Sequence, residues 1–325
     1  MKSQILTASE QFQNDTDLGL SSTPRFLKPK YFYDEEGSKI FQEIMHMPEY
    51  YLTDSEIEIF ENQSDSMVQE ISKSFSEVLL VELGSGDGIK TDIFIRSCLN
   101  GNLQLKYMPI DISADILDEL KSKFKINHPE VEIDARVGDY FQVMQSLKNE
   151  PEYSDIPKVV LLLGSNVGNF SNQETNQFIE HLKNILEPND FFLIGFDLKK
   201  NPNVILPAYN DPSGITKRFN FNHLLRVNRE LNGNFKVENF DHHVSYDPIS
   251  GEVKSYLIAN TECTVIIGSL EKTFTFNQWD SIYMECSRKY SIQDMVSIAN
   301  NHRFQVIENY LDSNRFFCNS LWQKK

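Results

Sequence analysis

The chain has 325 residues, of which 40% are hydrophobic, so it is long enough to bury a core in one large domain or two smaller ones. Its formal net charge of −16 argues against a nucleic-acid-binding protein, because such a protein needs a basic surface to neutralise phosphates. The same charge argues against binding to an anionic membrane surface.

Cysteine usage and hydropathy favour a reduced, cytoplasmic enzyme. The four cysteines form no C-x-x-C pair, so the sequence indicates neither a zinc site nor a disulfide framework. The N-terminal stretch MKSQILTASEQFQNDTDLGL has no apolar core of signal-peptide length, and no apolar run is long enough to span a membrane. We therefore expect a cytoplasmic monomer that binds no metal, no nucleic acid and no membrane.

Strands and helices are predicted to alternate over residues 77–197. Five largely apolar runs predict strands at 77–84, 103–111, 132–139, 158–164 and 190–197. Ser113 is expected to cap the helix after the second strand, and Ser171 with Glu174 forms a capping box before the helix after the fourth. Strands that alternate with helices predict a parallel, doubly wound α/β sheet.

The C-terminal region is predicted to complete this sheet. A helix should begin after Ser291, and the runs FQVIENYLD and RFFCNSLWQ follow with two residues between them, which predicts an antiparallel hairpin. Five parallel strands and a closing hairpin give seven strands, the count of the Rossmann-like class I methyltransferase sheet.

Two regions lie outside this pattern and predict a second domain. Residues 198–285 interrupt the alternation and begin with a segment rich in Asn, Pro and Gly, and the first 57 residues precede the sheet. We therefore predict a cofactor-binding sheet domain of residues 58–197 plus 286–325. Residues 1–57 plus 198–285 would form an α+β substrate-binding domain, with the substrate in a cleft between the two.

The first predicted strand ends in three glycines, in the stretch VELGSGDGIK. Glycine has no Cβ, so backbone at Gly84 and Gly86 can approach a ligand closely, as at the carboxyl edge of nucleotide-binding α/β sheets. Taken alone this is a weak signal, because an ordinary tight turn has the same glycines. The next strand, however, ends in Asp111, which could reach a ribose diol, and the third ends near Asp139, which could accept from an adenine amino group.

The spacing of the glycines also separates cofactor classes. The phosphate-binding pattern G-x-x-x-x-G-K-[ST] is missing from the sequence, and a dinucleotide dehydrogenase would carry G-x-G-x-x-G. S-adenosylmethionine, which has no phosphate to bind, fits this turn best.

Several motifs together resemble one family, the histidine-specific, S-adenosylmethionine-dependent methyltransferases of ergothioneine biosynthesis. The matching stretches occur in the family's order over nearly the whole chain: PKYFYDEEGSKIFQEIMHMPEYYLT (29–53), ELGSGDGIKT (82–91), YMPIDIS (107–113), VGDY (137–140), LLGSNVGNFSNQE (162–174), FDLKKNP (196–202), AYNDPSGITKRFNFNHLLRVNREL (208–231) and ECSRKYS (285–291). The resemblance implies Nα-methylation of L-histidine, up to the trimethyl betaine hercynine, by a two-domain enzyme.

The resemblance also implies roles for individual residues. Tyr33 and Asn169 would act at the reacting amine, Tyr50 and Asn169 would hold the amino-acid backbone, and Tyr209 would bind its carboxylate. The residues implied in the cofactor pocket are Gly84, Gly86, Lys90, Asp111, Asp139 and Tyr140.

Glu285 and Ser287 would hold the imidazole, since residues two apart in a strand share a face. A carboxylate and a hydroxyl suit a ring with two nitrogens. The alternative for this pair is a solvated edge strand, the alternative for each tyrosine is half-buried packing, and the alternative for Asn169 is a turn residue.

One position departs from the family pattern. Better-known members place a methionine against the imidazole, and aligning GEVKSYLIAN with that segment puts Ser255 there. Two alternatives therefore stay open: methylation of another amino acid or small amine, such as tryptophan, and binding of S-adenosylmethionine or an amino acid without turnover.

Overall fold

A computed structural model of the chain describes residues 7–147 and 150–325. The prediction about the N-terminal stretch falls in part on residues 1–6, which lie outside the described residues. The chain forms two compact units. The sheet unit is Leu52–Lys199 with Arg288–Lys325, and the second unit is the chain up to Tyr51 with Lys200–Ser287. The assignment of these units as cofactor-binding and substrate-binding domains stays a prediction.

The N-terminal segment of the second unit contains α1 (Ala8–Ser21), β1 (Arg25–Phe26) and α2 (Glu35–Met45). Both helices begin at side-chain caps, which satisfy amide groups that have no partner within the helix. Thr7 accepts from the amide of Glu10, and Asp34 accepts from the amide of Gly37.

The sheet unit begins with a long helix, and strands and helices then alternate. Its elements up to residue 197 are α3 (Tyr51–Ser72), β2 (Glu77–Leu83), α4 (Ile89–Asn100), β3 (Gln104–Asp111), α5 (Ala114–Asn127), β4 (Glu132–Ile133), β5 (Arg136–Val137), α6 (Tyr140–Leu147), β6 (Lys158–Leu162), α7 (Asn172–Ile185) and β7 (Phe191–Asp197). The predicted boundary at residues 57 and 58 falls inside α3. The predicted caps at Ser113 and Ser171 are confirmed.

Four of the five predicted strands are confirmed, and the third is wrong in extent. Residues 132–139 form two strands of two residues each, β4 and β5, which both pair with β3. Asp134 lies between them, and its carboxylate accepts from Arg136 at 2.6 Å and from the hydroxyl of Tyr153 at 2.7 Å. These side-chain contacts lie in the middle of the run, where a continuous strand would need backbone hydrogen bonds to β3.

The second segment of the second unit contains α8 (Pro202–Ile205), α9 (Ile215–Leu231), β8 (Phe240–Asp247), β9 (Glu252–Ala259), β10 (Cys263–Ile267), β11 (Lys272–Phe276) and β12 (Ser281–Arg288). Four strands form one sheet in the order β1-β12-β9-β8, and β10 pairs with β11. The core of this unit contains aromatic and aliphatic residues from α1, α2, α9 and the strands.

The chain returns to the sheet unit with α10 (Ile292–Asn301), β13 (Phe304–Leu311) and β14 (Phe317–Lys324), and the predicted antiparallel hairpin is confirmed. The strand order is β13-β14-β7-β6-β2-β3-β4, with β5 also on β3, so the described residues form eight strands in this sheet rather than the predicted seven. Its central strands are buried along nearly their whole length, as expected for parallel strands covered on both faces. In the described part of the chain, no helix is long and apolar enough to cross a membrane.

Candidate active site

The glycine-rich turn follows β2, where the order of the strands reverses. Gly84, Gly86 and Gly88 have φ values of +74°, +52° and +67°, a region that side chains disfavour. A Cβ at Gly88 would lie 2.8 Å from Phe124, whereas a Cβ at Gly86 would meet no atom within 4 Å. Gly88 is therefore required for packing, and the backbone at Gly86 borders open space.

Ser85, in the same turn, supports a ligand at this place. Its side chain is buried, and its hydroxyl has no hydrogen-bond partner among the described residues. Buried polar atoms are normally satisfied, so an unpartnered one beside open space fits a bound polar molecule. The turn thus suits a ligand that presents polar groups to Ser85.

Asp111 lies at the end of β3, next to this turn. Its carboxylate accepts from the amide of Ser113 at 3.0 Å and, at a longer 3.4 Å, from the amide of Gly86. These contacts leave acceptor capacity on the carboxylate, which has about four lone-pair sites. The structure therefore brings two of the predicted cofactor residues, Gly86 and Asp111, into contact.

Asp139 and Tyr140 follow β5 at the same edge of the sheet. Asp139 accepts from the amide of Gln142 at 3.2 Å and so also caps α6. The ring of Tyr140 packs edge-on against Phe178, with centroids 5.9 Å apart, and burial raises the pKa of its hydroxyl. Both residues are where the sequence places them, and their contacts with adenine stay a prediction.

Lys90, in the first turn of α4, is bound to a residue that sequence reasoning missed. Its ammonium lies 2.7 Å from the carboxylate of Glu56, whose side chain is only 1% exposed. Glu56 occurs on the buried face of α3, together with Ile59 and Phe60. A glutamate at an apolar position of a helical pattern was the signal that could have identified it.

Glu82, the residue before the last of β2, was also missed, although it belongs to the stretch that drew attention to the glycines. It accepts from the hydroxyl of Thr91 at 2.7 Å and from the hydroxyl of Tyr107. Burial raises the pKa of the Glu82 carboxyl to about 7, against the lowering effect of these hydrogen bonds. These hydrogen bonds connect β2 to β3 and to the first turn of α4, close in the chain to the glycine-rich turn.

Asn169 ends a short 3-10 helix, Asn166–Asn169, that follows β6. The hydroxyl of Tyr290 donates to the carbonyl of Val167 at 3.1 Å, and both residues are buried. A Cβ at Gly168 would lie 2.8 Å from the carbonyl oxygen of Arg288. The turn that carries Asn169 is thus held by Arg288 and Tyr290 of the predicted motif ECSRKYS.

The predicted amino-acid-binding tyrosines belong to the second unit. The hydroxyl of Tyr209 and the hydroxyl of Ser287 are hydrogen-bonded at 2.9 Å. The rings of Tyr50 and Tyr209 lie 6.5 Å apart, and Phe41 contacts both Tyr50, at 6.4 Å, and Tyr33, at 5.3 Å. Four of the five predicted residues in this unit are therefore joined, directly or through Phe41, which sequence reasoning missed.

Glu285, the fifth residue, lies with Ser287 on β12. This strand lies between β1 and β9 in the order of the sheet, and β1 pairs with it at Ile282 and Tyr283. Ile282 and Met284 are fully buried in the core, and Glu285, at the alternate position, is partly exposed. Ser255, on the neighbouring strand β9, is buried with 4% of its surface exposed.

The largely parallel sheet, the glycine-rich turn at its switch point and the carboxylate at the next strand end together indicate an α/β enzyme that binds a nucleotide cofactor. The chain belongs to the family of histidine-specific, S-adenosylmethionine-dependent methyltransferases, whose model matches residues 12–324. The protein is therefore a methyltransferase that uses S-adenosylmethionine, which confirms the cofactor predicted from the sequence.

Three relatives are similar to this chain over most of its length. The histidine N-alpha-methyltransferase of Mycolicibacterium smegmatis is 32% identical over 90% of this chain and 88% of that protein. The enzyme of the same name from Mycobacterium tuberculosis is 31% identical over 90% of this chain and 89% of that protein. Ergothioneine biosynthesis protein 1 of Neurospora crassa is 28% identical over 90% of this chain, which corresponds to 32% of that longer protein.

Proposed function

We propose that the protein methylates the α-nitrogen of L-histidine and continues to the trimethyl betaine hercynine, as a step of ergothioneine biosynthesis. The observation that carries this proposal is the similarity to histidine N-alpha-methyltransferases over 90% of the chain. The similarity therefore extends beyond the sheet unit into segments of the second unit, where the substrate-binding residues are predicted.

The second unit would bind the amino acid. Glu285 and Ser287 hold the two imidazole nitrogens, one as an acceptor for a ring N–H and the other as an adaptable hydroxyl. Tyr209 binds the α-carboxylate, and Tyr50 with Asn169 holds the backbone amino group. The hydrogen bond between Tyr209 and Ser287 supports this proposal, because it joins the carboxylate-binding and ring-binding residues.

The sheet unit would bind the cofactor. Asp111 accepts from the ribose hydroxyls, Asp139 accepts from the adenine amino group, and the backbone at Gly84 and Gly86 borders the ligand. Lys90 pairs with the carboxylate of the amino-acid part. We also propose that β4 and β5 count as one interrupted strand, which gives the seven-stranded class I methyltransferase sheet.

Methyl transfer to nitrogen requires the substrate amine to be neutral, because a protonated amine has no free electron pair. S-adenosylmethionine supplies a methyl group that is activated by a sulfonium. The substrate amine is mostly protonated in water, and burial away from solvent lowers its pKa and favours the neutral nucleophile. Tyr33 and Asn169 orient the amine, and alignment of the two reactants provides much of the rate. Tyrosine rings also stabilise the methylated ammonium by cation–π attraction.

A second candidate is N-methylation of another amino acid, such as tryptophan. The observation that favours it is Ser255, a small polar residue that is buried in the strand next to Glu285 and Ser287. If Ser255 replaces a methionine against the ring, the ring pocket is larger and more polar.

Mass spectrometry of products formed from S-adenosylmethionine with histidine, tryptophan, histamine and an N-terminal histidyl dipeptide tests both candidates. We expect histidine to be the substrate, and we expect histamine and the dipeptide to lose about tenfold to a hundredfold in kcat/KM, since each leaves a buried partner unpaired. Preferred turnover of tryptophan would replace the first candidate with the second. Equal turnover of histamine would contradict the role of Tyr209.

We further propose that the enzyme is a cytoplasmic monomer. The four cysteines are all free, which supports a reducing compartment. Light scattering at working concentration would give about 37.7 kDa for a monomer.

A further inference from the structure

A buried carboxylate lies at the point where the strand order of the sheet reverses. β2 pairs with β3 on one side and with β6 on the other, and ligands of open α/β sheets bind at such a switch point. Glu56 reaches this point from α3. Its Oε2 accepts from the amide of Gly164, which follows β6, at 2.9 Å, and from Lys90, which follows β2, at 2.7 Å.

The other oxygen of Glu56 is also held. Oε1 accepts from the side-chain amide of Asn319 on β14 at 3.2 Å. A Cβ at Gly195 of β7 would lie only 2.6 Å from this oxygen, so glycine is required there to leave room for the carboxylate. Contacts from four elements therefore determine the position of the Glu56 side chain.

The contact with Lys90 explains why a charge is placed there. A buried carboxylate is unfavourable unless it is paired, and the packing alone could be provided by a neutral side chain. A lysine has a flexible stem and three donors, so by itself it does not hold a ligand in one place. Glu56 takes one donor, and the Lys90 side chain remains 22% exposed with donors left for a ligand.

We propose that Glu56 is a positioning residue for the cofactor: it holds the ammonium of Lys90 where that group meets the carboxylate of the amino-acid part of S-adenosylmethionine. The inference rests on the proposed place of Lys90 in the cofactor pocket. It does not depend on the identity of the methyl acceptor, because cofactor binding can be measured without one.

Calorimetric titration of the full chain with two ligands tests this role. The ligands are S-adenosylhomocysteine and its analogue that lacks the carboxylate. Glu56→Gln keeps the size of the side chain, so we expect a folded protein that binds S-adenosylhomocysteine about tenfold more weakly, through loss of one charge-assisted hydrogen bond. Affinity for the analogue should stay within about twofold, since the analogue has no group for Lys90 to bind.

A double-mutant cycle separates positioning from general support of the fold. In a Lys90→Met background, Glu56→Gln should cause no further loss of S-adenosylhomocysteine affinity, because its effect passes through Lys90. The matched control is Asp190→Asn. Asp190 is a buried carboxylate that accepts from the amides of Lys158 and Glu187 just before β7, and its loss should leave the affinity of both ligands unchanged.

Three results would overturn the proposal: unchanged or tighter S-adenosylhomocysteine binding by Glu56→Gln, equal losses for both ligands, or a further loss in the Lys90→Met background. If Lys90→Met alone leaves S-adenosylhomocysteine affinity unchanged, the assignment of Lys90 itself is wrong. If Glu56→Gln does not fold, Glu56→Asp serves instead. It keeps the charge but shortens the side chain by one methylene, and it should show the same selective loss.

Discussion

Single residues of the glycine-rich turn have different tasks. Gly88 provides room for Phe124, while Gly86 leaves its backbone open and donates to Asp111. Asp111 is held from its own side by the amide of Ser113. Its carboxylate is therefore oriented before a ligand arrives, which reduces the entropy lost on binding.

We predict that Asp111→Asn lowers the affinity for S-adenosylmethionine by about 1.5–3 kcal/mol, the range for a hydrogen bond to a charged group. An asparagine oxygen can still accept from Ser113, so the turn should keep its shape. Calorimetric titration measures the change, and Asp115→Asn, on the exposed face of α5, is the control. Unchanged affinity would show that the end of β3 does not bind the ribose.

Strand β2 contains a buried acid that should make stability depend on pH. Burial raises the pKa of Glu82 to about 7 from an ordinary 4.5. The folded state therefore binds a proton more tightly than the unfolded state, so the favourable contribution present below pH 4.5 is lost as the pH rises through about 7. A shift of this size corresponds to roughly 3 kcal/mol.

We predict that Glu82→Gln changes this profile. As the pH rises from about 5 to about 8, the original protein should lose stability at Glu82 and the variant should not. The difference in the free energy of unfolding, variant minus original protein, should therefore increase by roughly 2–3 kcal/mol over this range. Urea denaturation at several pH values measures it. Glu77→Gln, at the exposed first position of the same strand, should give no such slope. A pH-independent difference would mean that Glu82 has an ordinary pKa.

The whole molecule has a separate hydrophobic core in each unit, and each unit contains one of the two tryptophans. Trp322 is fully buried against Phe192 and Phe196 in the sheet unit, whereas Trp279 in the second unit is 69% exposed. Tryptophan fluorescence during unfolding therefore reports mainly on the sheet unit.

We predict that S-adenosylhomocysteine raises the midpoint of this fluorescence transition, because all the proposed cofactor residues belong to the sheet unit. At a hundred times the dissociation constant the stabilisation should be about 2.7 kcal/mol. Trp279→Phe should leave the transition and its shift unchanged. An unchanged midpoint at a saturating concentration of S-adenosylhomocysteine would contradict the placement of the cofactor site in the sheet unit.

Much of the fold could be predicted because its signals are local. The capping box at Ser171 and Glu174 spans four residues, and the glycines directly follow an apolar run. The third strand failed because Asp134 binds Arg136 and Tyr153, the second of which lies 19 residues away. The neighbours of β12 in its sheet, β1 and β9, could not be predicted, because no local pattern reveals which strands pair with it.

The sequence by itself determined the alternation of strands and helices, the glycine-rich turn and the family, since each depends on residues that are close in the chain or on motifs in a characteristic order. Only the tertiary structure identified the site of Glu56, whose partners Lys90 and Asn319 are 34 and 263 residues distant. The physical reason is that a buried charge is selected by the groups that surround it in space, and a linear pattern does not contain them.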